Sequence, residues 1–365
     1  MKVRVSRSKL LAELMPMQGI VERRTTIPVL SHLLLRTEGD QLRLAATDLD
    51  VSLTSWADAE VSGEGAIAVQ ARKFMEIVRS LVGEEVELSL EDEKRLLISA
   101  GRSRFKINGL SPEDFPTLPE VTGETRIELP FSALKAMIGK VIFAVSTEES
   151  RFQLNGALLQ LKGGALEMVA TDGHRLALVE NPSEAGEAGE GVLVPRKALQ
   201  ELLRFDDDGN VVFLRGEHHL CFQLGRRELI CRILEGTFPD YERVISKAND
   251  KQAVFSRKEL IEAVQRVALL TGDRARAVRF SFSPNQLVIS AANPDLGEAV
   301  EEVGCEYEGE EFRLGVNPDY MAQFLSAVNT EKIRLDLKDE NTQCIGYPVD
   351  GEDQRYLCVI MPMRI

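Results

Sequence analysis

The chain has 365 residues, enough for two or three domains of ordinary size, and its 44% apolar and 28% charged residues suffice for a real core. It has no apolar run of about 18 residues to span a membrane, no apolar stretch behind the charged opening MKVRVSRSKL to act as a signal peptide, and five cysteines without CxxC spacing. These features argue for a reducing cytoplasm and against a disulfide framework or zinc knuckle, while a net charge of −14 counts against a nucleic-acid partner only if it is evenly spread.

Taken in chain order, the predicted elements repeat. VSRSKLLAELM (5–15) has helical apolar spacing behind a possible serine cap, Ser6, and LRLAATDLDVSL (42–53) reads as strand. VQARKFMEIVRSL (69–81) is a second amphipathic helix leading into VELSL, and PEDFPTLPEV (112–121) closes the unit. The order then starts again with PFSALKAMIGK (130–140, possible cap Ser132), LEMVATDGHRLAL (166–178), VPRKALQELLRF (194–205), VVFLR and the exit GTFPDYERVI (236–245). A third pass runs through FSRKELIEAVQRV (255–267, possible cap Ser256), LVISAANPDLGEA (287–299), VNPDYMAQFLSAV (316–328), IRLDL and YLCVIMPMRI. With polar linkers at 118–126 and 245–252, three units follow, 1–120, 126–245 and 252–365, each of two helix-plus-strand halves.

Charge is sorted within this pattern. The six helical stretches (7–17, 71–82, 131–145, 196–205, 256–270, 317–328) hold thirteen basic and six acidic residues, so +7 sits on helices and −21 elsewhere. Glu forms helices as well as Lys and Arg do, so propensity alone does not explain the bias. A concave surface lined by those helices would attract phosphates while the exterior repels them. The stretch 317–328, with only Asp319, should attract phosphate least.

Motifs for chemistry are missing. No GxxxxGK[ST], GxSxG or HExxH is present, four histidines leave little for a metal site, and Asp206-Asp207-Asp208-Gly reads as a solvated turn. GEAGEG (186–191) reads as a loop before a strand.

In MKVRVSRSKLL, IPVLSHLLL, ARKF, GRSRF, ATDGHRLA, VPRK, FPDYERV and the terminal VIMPMRI, the whole chain resembles, in order, the bacterial DNA polymerase III beta subunit family, the replicative sliding clamps. The resemblance implies an α+β fold of three repeated clamp domains, each with two inward helices and outer antiparallel sheets. Two chains would close head to tail into a ring around duplex DNA. It implies a processivity factor without catalysis, cofactor or metal. Its partners would be DNA without sequence preference, the DNA polymerase III catalytic subunit, a clamp loader ATPase, and other polymerases and repair proteins docking by short peptides. By matching positions, Arg24, Arg72, Lys73 and Lys197 would face DNA. Leu154, Thr171, Gly173, His174, Arg175, Leu176, Pro239, Arg243, Val244, Asn317, Tyr320, Val359, Met361, Pro362, Met363 and Arg364 would line the peptide cleft between the second and third domains. Arg102, Arg104, Phe105 and Ile107 would meet Leu269, Leu270, Glu298, Glu301 and Glu302 of a neighbour. No DNA or peptide contact is assigned to Phe152 or Gln153.

Because ATDLD and AANPD occupy the place of ATDGHR in the other units, Gly173, His174 and Arg175 belong to something the second unit alone does. The cleft reading makes Asp172-Gly173 a turn or bulge, His174 a wall, Met361, Met363 and Leu176 an adaptable apolar surface, and Arg175 and Arg243 contacts for the peptide's polar groups. Two rivals are a hydrolase using Asp172 and His174, with Arg175 on an anion, and a monomeric peptide-binding scaffold.

Overall fold

The computed structural model describes residues 1–22, 26–122, 125–182, 191–246, 248–272, 277–351 and 355–364. The proposed DNA contact Arg24 and residues 186–190 of the glycine-rich loop lie outside them. Helices and antiparallel strands alternate as the repeat requires. The helices are α1 (Arg7–Ile20), α2 (Ala71–Ser80), α3 (Phe131–Val141), α4 (Arg196–Arg204), α5 (Arg257–Ala268) and α6 (Pro318–Ala327).

Of the three expected serine caps, Ser256 alone accepts a first-turn N–H, that of Glu259. Ser6 occupies the cap position of α1 without such a bond, and Ser132 lies inside α3 rather than before it. Instead, Gln70 caps α2 through the Lys73 N–H, and Asn317 caps α6 through those of Asp319 and Tyr320. Helix α1 runs on through Pro16 to Ile20, past the expected end at 17. A mid-helix proline forfeits one backbone bond. Leu10, Leu14, Met17 and Ile20, all fully buried, offset it, at roughly 1.5–3 kcal/mol each.

The chain forms two compact units, residues 1–135 with 197–233 and residues 136–196 with 234–365. The first holds one twelve-stranded antiparallel sheet. Its thirteen-residue strand Val51–Gly63 pairs with Gln41–Thr47 and Arg227–Arg232, then bends to reach Lys2–Ser6, so part of the sheet closes on itself. The second unit has an eight-stranded sheet and a four-stranded sheet, the latter ordered Gly297–Gly304, Gln286–Asn293, Val278–Ser283, Phe312–Val316.

The repeat extends to the junctions. In the first unit Val51–Gly63 pairs with Arg227–Arg232, and in the second Arg175–Pro182 pairs with Arg355–Ile360. The two exits pack alike. Phe115 and Leu118 lie on a cluster of Val29, Leu30, Leu34 and Ala45, whereas Phe238, Tyr241 and Val244 lie on Val169, Leu176, Leu357 and Val359.

Candidate functional site

ATDGHR is a hairpin turn between the strands Ala165–Thr171 and Arg175–Pro182. One Asp172 oxygen accepts the N–H groups of His174 and Arg175 at 2.9 and 3.0 Å, and Thr171 Oγ1 accepts that of Gly173. In ATDLD, Asp48 accepts from Asp50 and Val51, and Thr47 from Leu49. In AANPD, Asn293 accepts from Asp295 and Leu296. All three repeats thus use one Asx turn, in which a short side chain replaces a backbone acceptor. The residue after the acid needs φ > 0 in the first two: Gly173 at 88° and Leu49 at 83°. Asp206-Asp207-Asp208 behaves as expected of a turn, with Asp207 accepting the Gly209 N–H.

The second oxygen of Asp172 takes the Arg175 Nε at 3.0 Å. Arg175 also donates to Gln323 and to the Phe143 carbonyl, and lies 4.2 Å from the Tyr320 ring centre. It is 8% exposed. Its guanidinium is therefore committed within the protein and does not reach outward, as the sequence reading had it. The physical reason is burial: a charge at this depth needs a counter-charge and hydrogen-bond partners, and each of its three nitrogens has one. The same engagement, with the two backbone N–H groups, leaves the Asp172 carboxylate accepting three hydrogen bonds.

Behind the turn lies a pocket of about 110 Å³ lined by Leu154, Thr171, Gly173, Arg175, Leu176, Pro239, Tyr241, Val244, Val359 and Met361. Nine of these ten are the expected cleft residues. The others fall elsewhere. His174 is exposed and contributes its carbonyl, which accepts the Met361 N–H at 3.0 Å. Arg243 pairs with Asp240 at 2.7 Å, Asn317 caps α6, and Tyr320 stacks on Arg175. Pro362, Met363 and Arg364 line a separate basin of about 760 Å³.

Sequence reasoning missed Tyr241. Its hydroxyl donates to the buried Glu167 and accepts from Gln160 Nε2 at 2.8 Å. Burial first, then Glu167, push its phenol up to about 12, so it stays a donor at neutral pH. The available signal was a lone carboxylate, Glu167, inside the apolar run LEMVAT.

The expected interface residues lie on or beside two strands that have an unpaired side among the described residues. Ser103–Leu110 bonds to Ala66–Gln70 only at its last two residues. Arg104, Phe105 and Lys106 are exposed there, with Arg102 just before them and Ile107 half-buried. Gly297–Gly304 ends the four-stranded sheet and carries Glu298, Glu301 and Glu302, with Val300 63% and nearby Leu269 77% exposed; Leu270 is half-buried.

The helical cations are less available than their count suggested. Arg7 donates to the carbonyls of Val78 and Arg79, Lys135 to that of Phe205, and Arg257 to those of Leu325 and Thr330. In each repeat a cation on the first helix thus closes the C-terminal end of the second, where the helix dipole is negative. Lys140 is buried, Lys9 pairs with Asp58 at 3.3 Å and Arg266 with Glu301 at 2.7 Å. Of the proposed DNA contacts, Arg72 and Lys73 share Glu76, and Lys197 holds Asp48 and the Ile20 carbonyl.

Family models for the N-terminal, central and C-terminal domains of the DNA polymerase III beta subunit match residues 1–119, 128–240 and 242–364. The chain belongs to that family. It is 40% identical to the beta sliding clamp of Pseudomonas aeruginosa over 365 residues, 99% of each chain, and 37% identical to that of Caulobacter vibrioides over 374, 100% of each. A crystal structure of the P. aeruginosa DnaN sliding clamp bound to griselimycin superposes with a TM-score of 0.94 at 38% identity, covering all of both chains. The Bacillus subtilis DNA polymerase sliding clamp does so at 0.94 and 28%, covering 100% of this chain and 99% of that one. Three clamp domains of mixed helix and sheet and a sliding-clamp role with DNA polymerase III in DNA replication follow from this membership. Among the described residues no helix is long and apolar enough to cross a membrane, and no group of His, Cys, Asp and Glu is placed to hold a metal ion.

Proposed function

We propose that two copies of this chain, each of domains 1–120, 126–245 and 252–365, join head to tail into a ring that encircles duplex DNA and slides on it. The observation that carries this reading is the pair of open edges: a basic one at Arg102, Arg104 and Lys106 and an acidic one at Glu298, Glu301 and Glu302. Strand edges add backbone bonds across an interface, opposite charges set the register, and Phe105, Ile107, Leu269 and Leu270 supply apolar cover. DNA is held through diffuse phosphate contacts from Arg24, Arg72, Lys73 and Lys197, so that every register has nearly equal energy. Arg72, Lys73 and Lys197 must exchange carboxylate partners for phosphate.

The pocket beside Asp172–Arg175 receives apolar side chains of short peptides from the polymerase catalytic subunit, a clamp loader ATPase, other polymerases and repair proteins. Its small volume and mostly aliphatic lining with Met361 support this. The ring acts in the cytoplasm without catalysis of its own, and the loader supplies the ATP-driven opening for which this sequence has no nucleotide loop. The deciding experiment loads the protein with a bacterial clamp loader onto nicked circular DNA and then linearises it. Retention on the circle with loss from the linear form is expected; equal release from both sinks encirclement.

A further inference from the structure

The basin that collects Met363 and Arg364 also collects Arg279 and Arg313. Arg279 stands opposite Gly315, and Arg313 opposite Ser281, in the antiparallel pair Val278–Ser283 and Phe312–Val316. Residues two apart, and residues directly opposite, share a sheet face. Both arginines therefore project from one face, while Val278, Phe280, Leu314 and Val316 fill the other. Gly315 adds no side chain between them, and its carbonyl accepts the Met363 N–H at 2.9 Å, which brings Arg364 alongside.

All three arginines are exposed, and none has an ion-pair or hydrogen-bond partner among the described residues. Among the described residues that line the basin, Glu340 is the single carboxylate. Three mutually repelling guanidiniums around about 760 Å³ form a standing demand for anions. Arginine meets carboxylates in a two-pronged fork, the strongest of the ordinary charge-assisted contacts.

The apolar pocket ends at Met361 and the basin begins at Pro362. Three residue steps separate Met361 from Arg364, a span of at most about 10 Å. We infer that the basin of Arg279, Arg313 and Arg364 binds acidic side chains of a partner peptide, about three residues to one side of the apolar residues that fill the pocket. This rests on the peptide-cleft reading above and adds a specificity site to it. Peptide is favoured over DNA phosphate because one extended segment reaches both the apolar pocket and the arginines along residues 361–364.

Three fluorescein-labelled nonapeptides with a central Leu-Leu test it by fluorescence polarisation. One carries two aspartates on its amino-terminal flank, one carries two on its carboxyl-terminal flank, and one has serines throughout. One acidic peptide alone should bind about tenfold tighter than the serine peptide in low salt. That advantage should shrink at high salt and vanish in Arg279→Ser/Arg313→Ser, with serine-peptide affinity unchanged. Both substitutions are at exposed positions, and a melting curve checks folding. Equal binding of all three peptides, or a preference that survives the double variant, overturns the basin and leaves the cleft standing. Failure of every peptide to bind the wild type sinks both. If the double variant weakens binding of a short duplex DNA while leaving the peptide preference intact, the basin serves phosphate and the inference is wrong.

Discussion

At the residue scale, one turn with three sequences gives a controlled comparison. Leu49 and Gly173 share a left-handed backbone and the same bonds, but only glycine adopts it freely. Leu49 is exposed and packs little. Leu49→Gly should therefore raise stability in urea unfolding by about 0.5–1 kcal/mol, the relieved strain less the added unfolded-state entropy. Asp172→Ala should do the reverse at the matching turn. It strips the buried Arg175 of its carboxylate and two backbone N–H groups of their acceptor, costing about 3–5 kcal/mol. His174→Ala, by contrast, leaves the carbonyl that holds Met361 in place and should change stability by under about 0.5 kcal/mol.

At the element scale, α1 and α4 meet at an unusual contact. Gly19 lies so close to Glu201 that a Cβ there would fall 1.8 Å from its carboxylate oxygen. Exchanging a helical glycine for alanine ordinarily stabilises by about 1 kcal/mol, yet Gly19→Ala should gain less than that, because the carboxylate end of Glu201 and the guanidinium of Arg204 must first move aside. Glu201 is also buried, and that burial raises its pKa above the usual carboxylate value despite Arg204 beside it. The sign follows from linkage. A carboxyl that holds its proton more tightly when folded favours folding while protonated and loses that contribution as the pH climbs past its raised value. Glu201→Gln, which cannot ionise, should gain stability relative to the wild type between pH 4 and pH 7 in urea titrations. A constant difference across that range would remove Glu201 as the titrating group.

At the scale of the whole molecule, the proposed ring stands or falls on its edges. Glu301→Arg/Glu302→Arg should shift the protein toward monomer in sedimentation velocity, since like charges would face Arg102 and Arg104. Adding Arg102→Glu/Arg104→Glu should restore the dimer, which nonspecific damage to the sheet would not permit. The five cysteines bear on the same scale: Cys221, Cys231, Cys344 and Cys358 are buried. Burial pushes the thiols of Cys221 and Cys358 up to about 12 and that of Cys305 to about 11. At neutral pH the folded protein should react slowly with thiol reagents, Cys305 first.

The threefold order of elements, the six helices and the place of the special turn were all legible in the sequence, because hydrophobic period and turn chemistry are local. Nine of the ten pocket residues were reached as well, through a resemblance that carries positions along the chain. What the sequence could not decide was where each charge would go. Arg7, Lys135 and Arg257 looked like free cations on helix faces and turned out to close neighbouring helix ends. Arg175 looked outward and is buried, and Tyr241 was passed over although it is fixed by a glutamate 74 residues away. A cation's partner is chosen by proximity in space and by the cost of leaving a buried donor unmet. Neither is fixed until the sheets have brought distant segments together.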